Sequence, residues 1–208
     1  MSILSERLAQ YDVPQKAKAA GVYPYFRPIS SDQDTVVQID GKPVLMFGSN
    51  SYLGATVFHR AVDKAIEATR VFGIGSGGVP LLTGTSIYQN MLEKVIANKT
   101  GFDDAIIFSS GYTANLGVIS GLIRANNLVI HDKLNHASLL DATILSGAKM
   151  ARFKHADIAD LERVLKANAE KYPKGILVVT DGVFSMDGDI ALLPEILAVV
   201  RKYDAILL

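Results

Sequence analysis

Four short segments carry side chains whose types and spacing could do chemistry. Ser109-Ser110-Gly111-Tyr112 stands between an apolar run and a helical pattern that continues through Ala114, Leu116 and Val118. Backbone N–H groups at a helix start have no intrahelical partner and carry partial positive charge; glycine permits close approach and serine adds hydroxyl donors. That spacing suits a phosphate, and equally a serine-capped turn with no ligand. Asp132-Lys133-Leu134-Asn135-His136-Ala137-Ser138 follows an apolar strand pattern, and so lies at the sheet edge where ligands of open α/β folds gather. His136 there could present its flat ring to an aromatic cofactor, or cap the helix that follows.

Thr180 to Asp189 follows another strand pattern and is rich in aspartate. It lacks the ligand ladder and terminal glutamate of a calcium loop, so a polar loop at the same edge is expected and no metal site. Gly73-Ile74-Gly75-Ser76-Gly77-Gly78, with Leu81-Leu82-Thr83-Gly84-Thr85 after it, has no Gly-Lys-Ser/Thr ending and no strand leading into it. Those absences exclude a Walker loop and a dinucleotide fingerprint. A helix stop with Ser86 capping the next helix, or a place where substrate meets bare backbone, both remain.

The elements that must position these segments follow from periodicity. Ile3 to Gln10 reads as a short helix and Val13 to Arg27 as an irregular arm. Thr35 to Ile39 and Pro43 to Phe47 read as strands of a hairpin turned at Asp40-Gly41. Helical patterns then lie near Arg60 to Val71, Ser86 to Asn98, Tyr112 to Ile123, His136 to Leu145, Asp157 to Ala169 and Leu193 to Tyr203. Extended runs lie at Ala105 to Phe108, Leu128 to Ile130, Lys149 to Phe153, Gly175 to Val179 and Ala205 to Leu208. Such alternation predicts an α/β fold, a mainly parallel sheet with helices on both faces. The expected division is an arm and hairpin over 1–57 and an incomplete large domain over 58–208, with a C-terminal domain absent.

Composition limits the function classes. Lysine plus arginine equal aspartate plus glutamate at 21 each, so no basic excess favours nucleic acid, and a small-molecule partner is expected. No cysteine is present, which excludes a thiol nucleophile and zinc–thiolate sites. The N-terminus lacks the basic start and apolar core of a secretory signal, and no apolar run reaches the roughly 20 residues of a membrane span. A cytoplasmic protein without a transmembrane segment is expected.

Taken in order, these segments resemble the α-oxoamine synthase family of pyridoxal-phosphate (PLP) enzymes, which have the fold-type I aminotransferase architecture. The resemblance rests on Gly48-Ser49-Asn50-Ser51-Tyr52-Leu53-Gly54, the glycine-rich turn with Thr83-Gly84-Thr85, Ser110 to Asn115, Asp132 to Ser138, and Asp181 to Gly188. Tyr11 to Lys16, Gly21 to Arg27 and Val44 to Phe47 are most similar to the bacterial serine palmitoyltransferases of that family. Gly78-Val79-Pro80 departs from the family, many members of which have a serine–arginine pair there.

The resemblance implies PLP-dependent condensation of an amino acid with an acyl-CoA, with decarboxylation, giving an amino ketone. It implies that Ser110, Gly111 and Tyr112 hold the cofactor phosphate, that His136 stacks on the pyridine ring, that Ser185 hydrogen-bonds the phenolic oxygen and that Asn50 lies near substrate. A homodimer is implied as well. The alternatives are 8-amino-7-oxononanoate synthase or 2-amino-3-ketobutyrate CoA ligase activity, or a non-catalytic partner subunit. None of Lys133, Lys149, Lys154 and Lys174 matches the family's imine-lysine motif, so a truncated chain, inactive by itself, is expected.

Overall fold

In the computed structural model, which describes residues 2–208, the Asp40-Gly41 turn forms as its sequence predicts. Both residues take left-handed backbone, with φ of 51° and 71°. Two such positions in succession match the right-handed twist of the flanking strands. They join β1 (Val36–Ile39) antiparallel to β2 (Lys42–Leu45), with Ile39 opposite Lys42 and Val36 opposite Leu45. Alternation along β1 buries Val37 and Ile39.

The chain divides into two compact units, one ending at Thr85 and one beginning at Ser86. The first holds the hairpin, α1 (Ile3–Gln10), α2 (Val13–Ala19) and α3 (His59–Phe72). The arm expected to be irregular is thus helical over its first half. Pro14 sits in the first turn of α2, where a missing N–H costs nothing, and Lys16 pairs with Asp12 at 2.8 Å. Gly73 ends α3 at φ 82°, and a π-helical turn follows over Pro80–Gly84. A Cβ on Gly84 would strike the Gly78 carbonyl, so glycine at position 84 is required by the loop's packing on itself.

The second unit begins with α4 (Ile87–Thr100), capped by Ser86 through its side chain and Gln89 N–H at 3.2 Å. It continues through α5 (Gly111–Leu122), β3 (Leu128–Asp132), α6 (Ala137–Ser146), β4 (Lys149–Phe153), α7 (Ile158–Asn168), β5 (Ile176–Val179), α8 (Leu193–Lys202) and β6 (Ile206–Leu207). The sheet order is β4-β3-β5-β6, and every pairing is parallel.

The strands' two-residue period sorts the core into two layers. Leu128, Ile130, Ile176 and Val178 face α7 and α8, where Leu161, Leu165, Ile196 and Val200 complete a buried cluster. Val129, Leu177 and Val179 face Ile119 of α5 and Leu139 and Ala142 of α6. Helices therefore cover both faces, as expected. The extended run Ala105 to Phe108 is not a strand: Ile107 N–H reaches the Glu93 side chain at 3.4 Å, and the Phe108 ring fills the space beside Gly117. An apolar run becomes a strand only where a neighbour offers a ladder.

Candidate active site

The C-terminal ends of β3 and β5 lie side by side, and their loops form the cavity of interest. It encloses about 260 Å³, and its lining includes Asn135, His136, Asp181, Phe184, Ser185 and Asp187. Two residues named from sequence, His136 and Ser185, thus share one cavity.

Adjacent strand ends are fastened by Asn135, which is buried. Its Nδ2 donates to the Val179 carbonyl at 2.8 Å, and its Oδ1 accepts from Asp181 N–H at 3.3 Å. Asp181 reaches back, its carboxylate accepting from His136 N–H at 2.7 Å. The start of α6 is fixed relative to the end of β5 from both sides.

His136 both caps α6 and faces the cavity. Its Nδ1 accepts from Ser138 N–H at 3.2 Å and lies 2.7 Å from Ser138 Oγ, which itself accepts from Asn115 Nδ2 at 2.8 Å. With Nδ1 accepting, the ring proton resides on Nε2. Asn115 belongs to α5, so the same chain of bonds ties the helix that begins at Gly111 to the histidine.

At that helix start Ser110 forms a capping box with Thr113: the Ser110 hydroxyl accepts from Thr113 N–H and Thr113 Oγ1 accepts from Ser110 N–H. The N–H groups of Gly111 and Tyr112 are first-turn donors that an α-helix leaves without internal acceptors. A Cβ on Gly111 would meet nothing within 4 Å. The Tyr112 hydroxyl donates to Asp141 on α6, and that bond raises the phenol's pKa above its ordinary value. Asn50 belongs to the first unit, where its carbonyl accepts from Tyr52 N–H at 2.9 Å.

Sequence reasoning missed the supports beneath these groups. His131 alternates with Ile130 and so faces α6, fully buried, with Nε2 3.0 Å from Thr143 Oγ1. Burial, with the nearby Arg152 charge, lowers its pKa to about 4. Asp132 is 2% exposed and accepts from Leu134 N–H, Ala156 N–H and the His155 ring. Histidine and aspartate closing the apolar run Leu128 to Ile130 are the signal that was available for this cluster. Among the described residues, no group of histidine, aspartate and glutamate is arranged to hold a metal ion.

The family described as aminotransferase class I and II matches residues 42–208. The chain belongs to this family. Within the aminotransferase class I and II proteins it is 47% identical over 206 residues to a serine palmitoyltransferase of Bacteroides thetaiotaomicron, covering 99% of this chain and 52% of that protein. It is 45% identical over 186 residues to an 8-amino-7-oxononanoate synthase of Symbiobacterium thermophilum, covering 89% and 47%. A serine palmitoyltransferase variant from S. paucimobilis, solved with PLP and myriocin bound, superposes with a TM-score of 0.89 at 34% identity, covering 100% of this chain and 52% of that one. The architecture is that of a fold-type I PLP-dependent transferase. The chain spans about half the length of the curated relatives it matches. No helix among the described residues is long and apolar enough to cross a membrane.

Proposed function

We propose that this chain supplies the cofactor-binding face of a PLP-dependent enzyme that condenses an amino acid with an acyl-CoA and releases carbon dioxide, giving an amino ketone and free CoA. Serine with a long acyl chain is the favoured pair, because serine palmitoyltransferases match 99% of the chain. The observation that carries the reading is the cavity shared by His136 and Ser185, tied through Ser138 and Asn115 to the helix that starts at Gly111.

The residues present fit a flat, phosphorylated, aromatic cofactor. Gly111 and Tyr112 offer unpaired N–H donors beside the Ser110 hydroxyl, with open space over Gly111, and these would hold the phosphate. The His136 ring, fixed through Nδ1, would lie against the pyridine face, and the Ser185 hydroxyl would donate to the phenolic oxygen. Asn50 would contact substrate. Bound PLP supplies a conjugated ring over which the electron pair left by loss of the amino acid's α-proton is delocalised. Orientation of that ring by His136 and of its phosphate by α5 would hold the reacting bond in register.

The working enzyme in this reading is a homodimer in the cytoplasm. Residues 1–57 are an arm and hairpin, 58–208 are part of a large domain, and the imine lysine lies outside the chain. Consistent with that, no lysine lines the cavity among the described residues. The test is to assay the full-length protein with serine, glycine and alanine against short and long acyl-CoAs, and to titrate PLP into its Gly111→Val variant. Serine with long acyl-CoAs should release CoA fastest, and the variant should bind PLP at least about tenfold more weakly. No CoA release with any pair would remove the condensation reading, and unchanged PLP affinity would remove the phosphate site.

A further inference from the structure

His155 lies where β4 gives way to α7, outside the residues named so far as touching cofactor or substrate. Both of its ring nitrogens face carboxylates: Nδ1 is 2.9 Å from Asp132 Oδ1 and Nε2 is 2.9 Å from Asp189 Oδ2. A neutral imidazole has one N–H and can donate to one of them; the protonated ring donates to both. The two acceptors belong to different structural levels. Asp132 is the buried end of the central strand β3, held also by Leu134 and Ala156 N–H. Asp189 is at the exposed end of the loop that carries Ser185.

That loop is closed on itself. Val183 bridges Ile190 antiparallel, Phe184 N–H donates to the Asp189 carbonyl at 2.8 Å, and Ala191 N–H donates to the Gly182 carbonyl at 3.0 Å. Phe184, 4% exposed, packs edge-on against the His155 ring with centroids 4.6 Å apart. One imidazole therefore touches the sheet end, the loop's buried aromatic anchor and the loop's carboxylate.

We propose that His155, protonated and bonded to Asp132 and Asp189, is the positioning residue that clamps the loop from Gly182 to Ala191 onto the sheet and so sets Ser185 across the cavity from His136. The role given to Ser185 rests on the cofactor reading above; the clamp itself does not. The charged groups on the surrounding elements are Asp132 and Lys133 of β3 and its loop, Lys154, Asp157 and Asp160 at the β4–α7 junction, and Asp181, Asp187 and Asp189. Asp157 caps α7, and Asp160 is bonded to Lys154 N–H and Arg163, which leaves Asp132 and Asp189 as the carboxylates bonded to the ring. Their hydrogen bonds, Asp189 first and then Asp132, raise the imidazole's pKa. A raised histidine pKa contributes stability that is fully present below the unfolded value and lost as pH rises through the folded one. The clamp should accordingly open on the alkaline side.

Amide hydrogen exchange in the full-length protein, corrected for intrinsic rate, tests this. His155→Gln and Asp189→Asn should each reduce protection of the Phe184, Gly188 and Ala191 amides by about tenfold and leave Leu177 and Val178 as they were. In the unaltered protein protection of the loop should fall as pH rises, and His155→Gln should remove that dependence. Asp189 is exposed, so its variant keeps the test valid if His155→Gln folds poorly. Wild-type protection in Asp189→Asn, or the same pH profile in His155→Gln and the unaltered protein, overturns the clamp. A parallel PLP titration separates the two readings: a loosened loop with unchanged PLP affinity supports the clamp and removes Ser185 from the cofactor site.

Discussion

His131 and His155 are shifted in opposite directions from the ordinary histidine value, for opposite physical reasons. His131 is sealed between β3 and α6, where burial disfavours the cation and lowers its pKa to about 4, whereas the carboxylates around His155 favour it. Their contributions to stability therefore run in opposite directions with pH. For His131 the unfolded chain binds the proton first, so stability is intact above the ordinary value of 6.5 and falls as pH drops toward about 4. One proton corresponds to about a tenfold change in the folding equilibrium per pH unit across that window. His131→Gln, which can still bond Thr143, should flatten this acid loss; unfolding curves collected from pH 7 to about 4 would measure it, and parallel pH dependences in the two proteins would refute the assignment. His136 belongs to the same scale. Its capping bond and its exposure to the cavity use different sides of one ring, so capping is compatible with the chemical role proposed for it.

At the level of elements, the site depends on how two neighbouring strand ends are joined. Asn135 bonds to both the Val179 carbonyl and Asp181 N–H, doing between loops what ladder bonds do within the sheet. Asn135→Ala would remove both bonds from this largely buried junction, at a cost of about 1–3 kcal/mol. Ser185→Ala, on the exposed loop, should change stability by less than about 0.5 kcal/mol. Urea unfolding of the two variants should separate them clearly, and an Asn135→Ala protein as stable as Ser185→Ala would show that the latch contributes little. The helix starts follow a similar division. Ser86 and Ser110 are legible as caps because a cap's partner lies three residues on, and the structure pairs both so, with Asp157 paired to Asp160 N–H in the same way.

For the whole molecule, large apolar side chains are left open in both units, Ile74 at 100% and Met186 at 93% exposure among them. Surfaces of that kind are ordinarily covered by more protein. With the lack of a cavity lysine, this predicts that residues 1–208 expressed alone, given PLP, serine and a long acyl-CoA, release no CoA, while the full-length protein does; a thiol-release assay decides, and turnover by the short chain would refute the prediction. Sequence alone determined the alternation of strand and helix, the left-handed Asp40-Gly41 turn, the serine caps and the ordered motifs that mark the family. Each of these is written in neighbours a few residues apart, or in a composition that recurs along the chain. Tertiary structure decided the rest. That Ala105 to Phe108 lies outside the sheet depends on whether a partner strand is beside it. That Asp132, His155 and Asp189 meet depends on a strand end and two loops converging at one sheet edge, the bonded pairs being 23 and 34 positions apart in sequence. Hydrogen bonds across such separations leave no period in the sequence, because the contact is made by the fold rather than by the spacing.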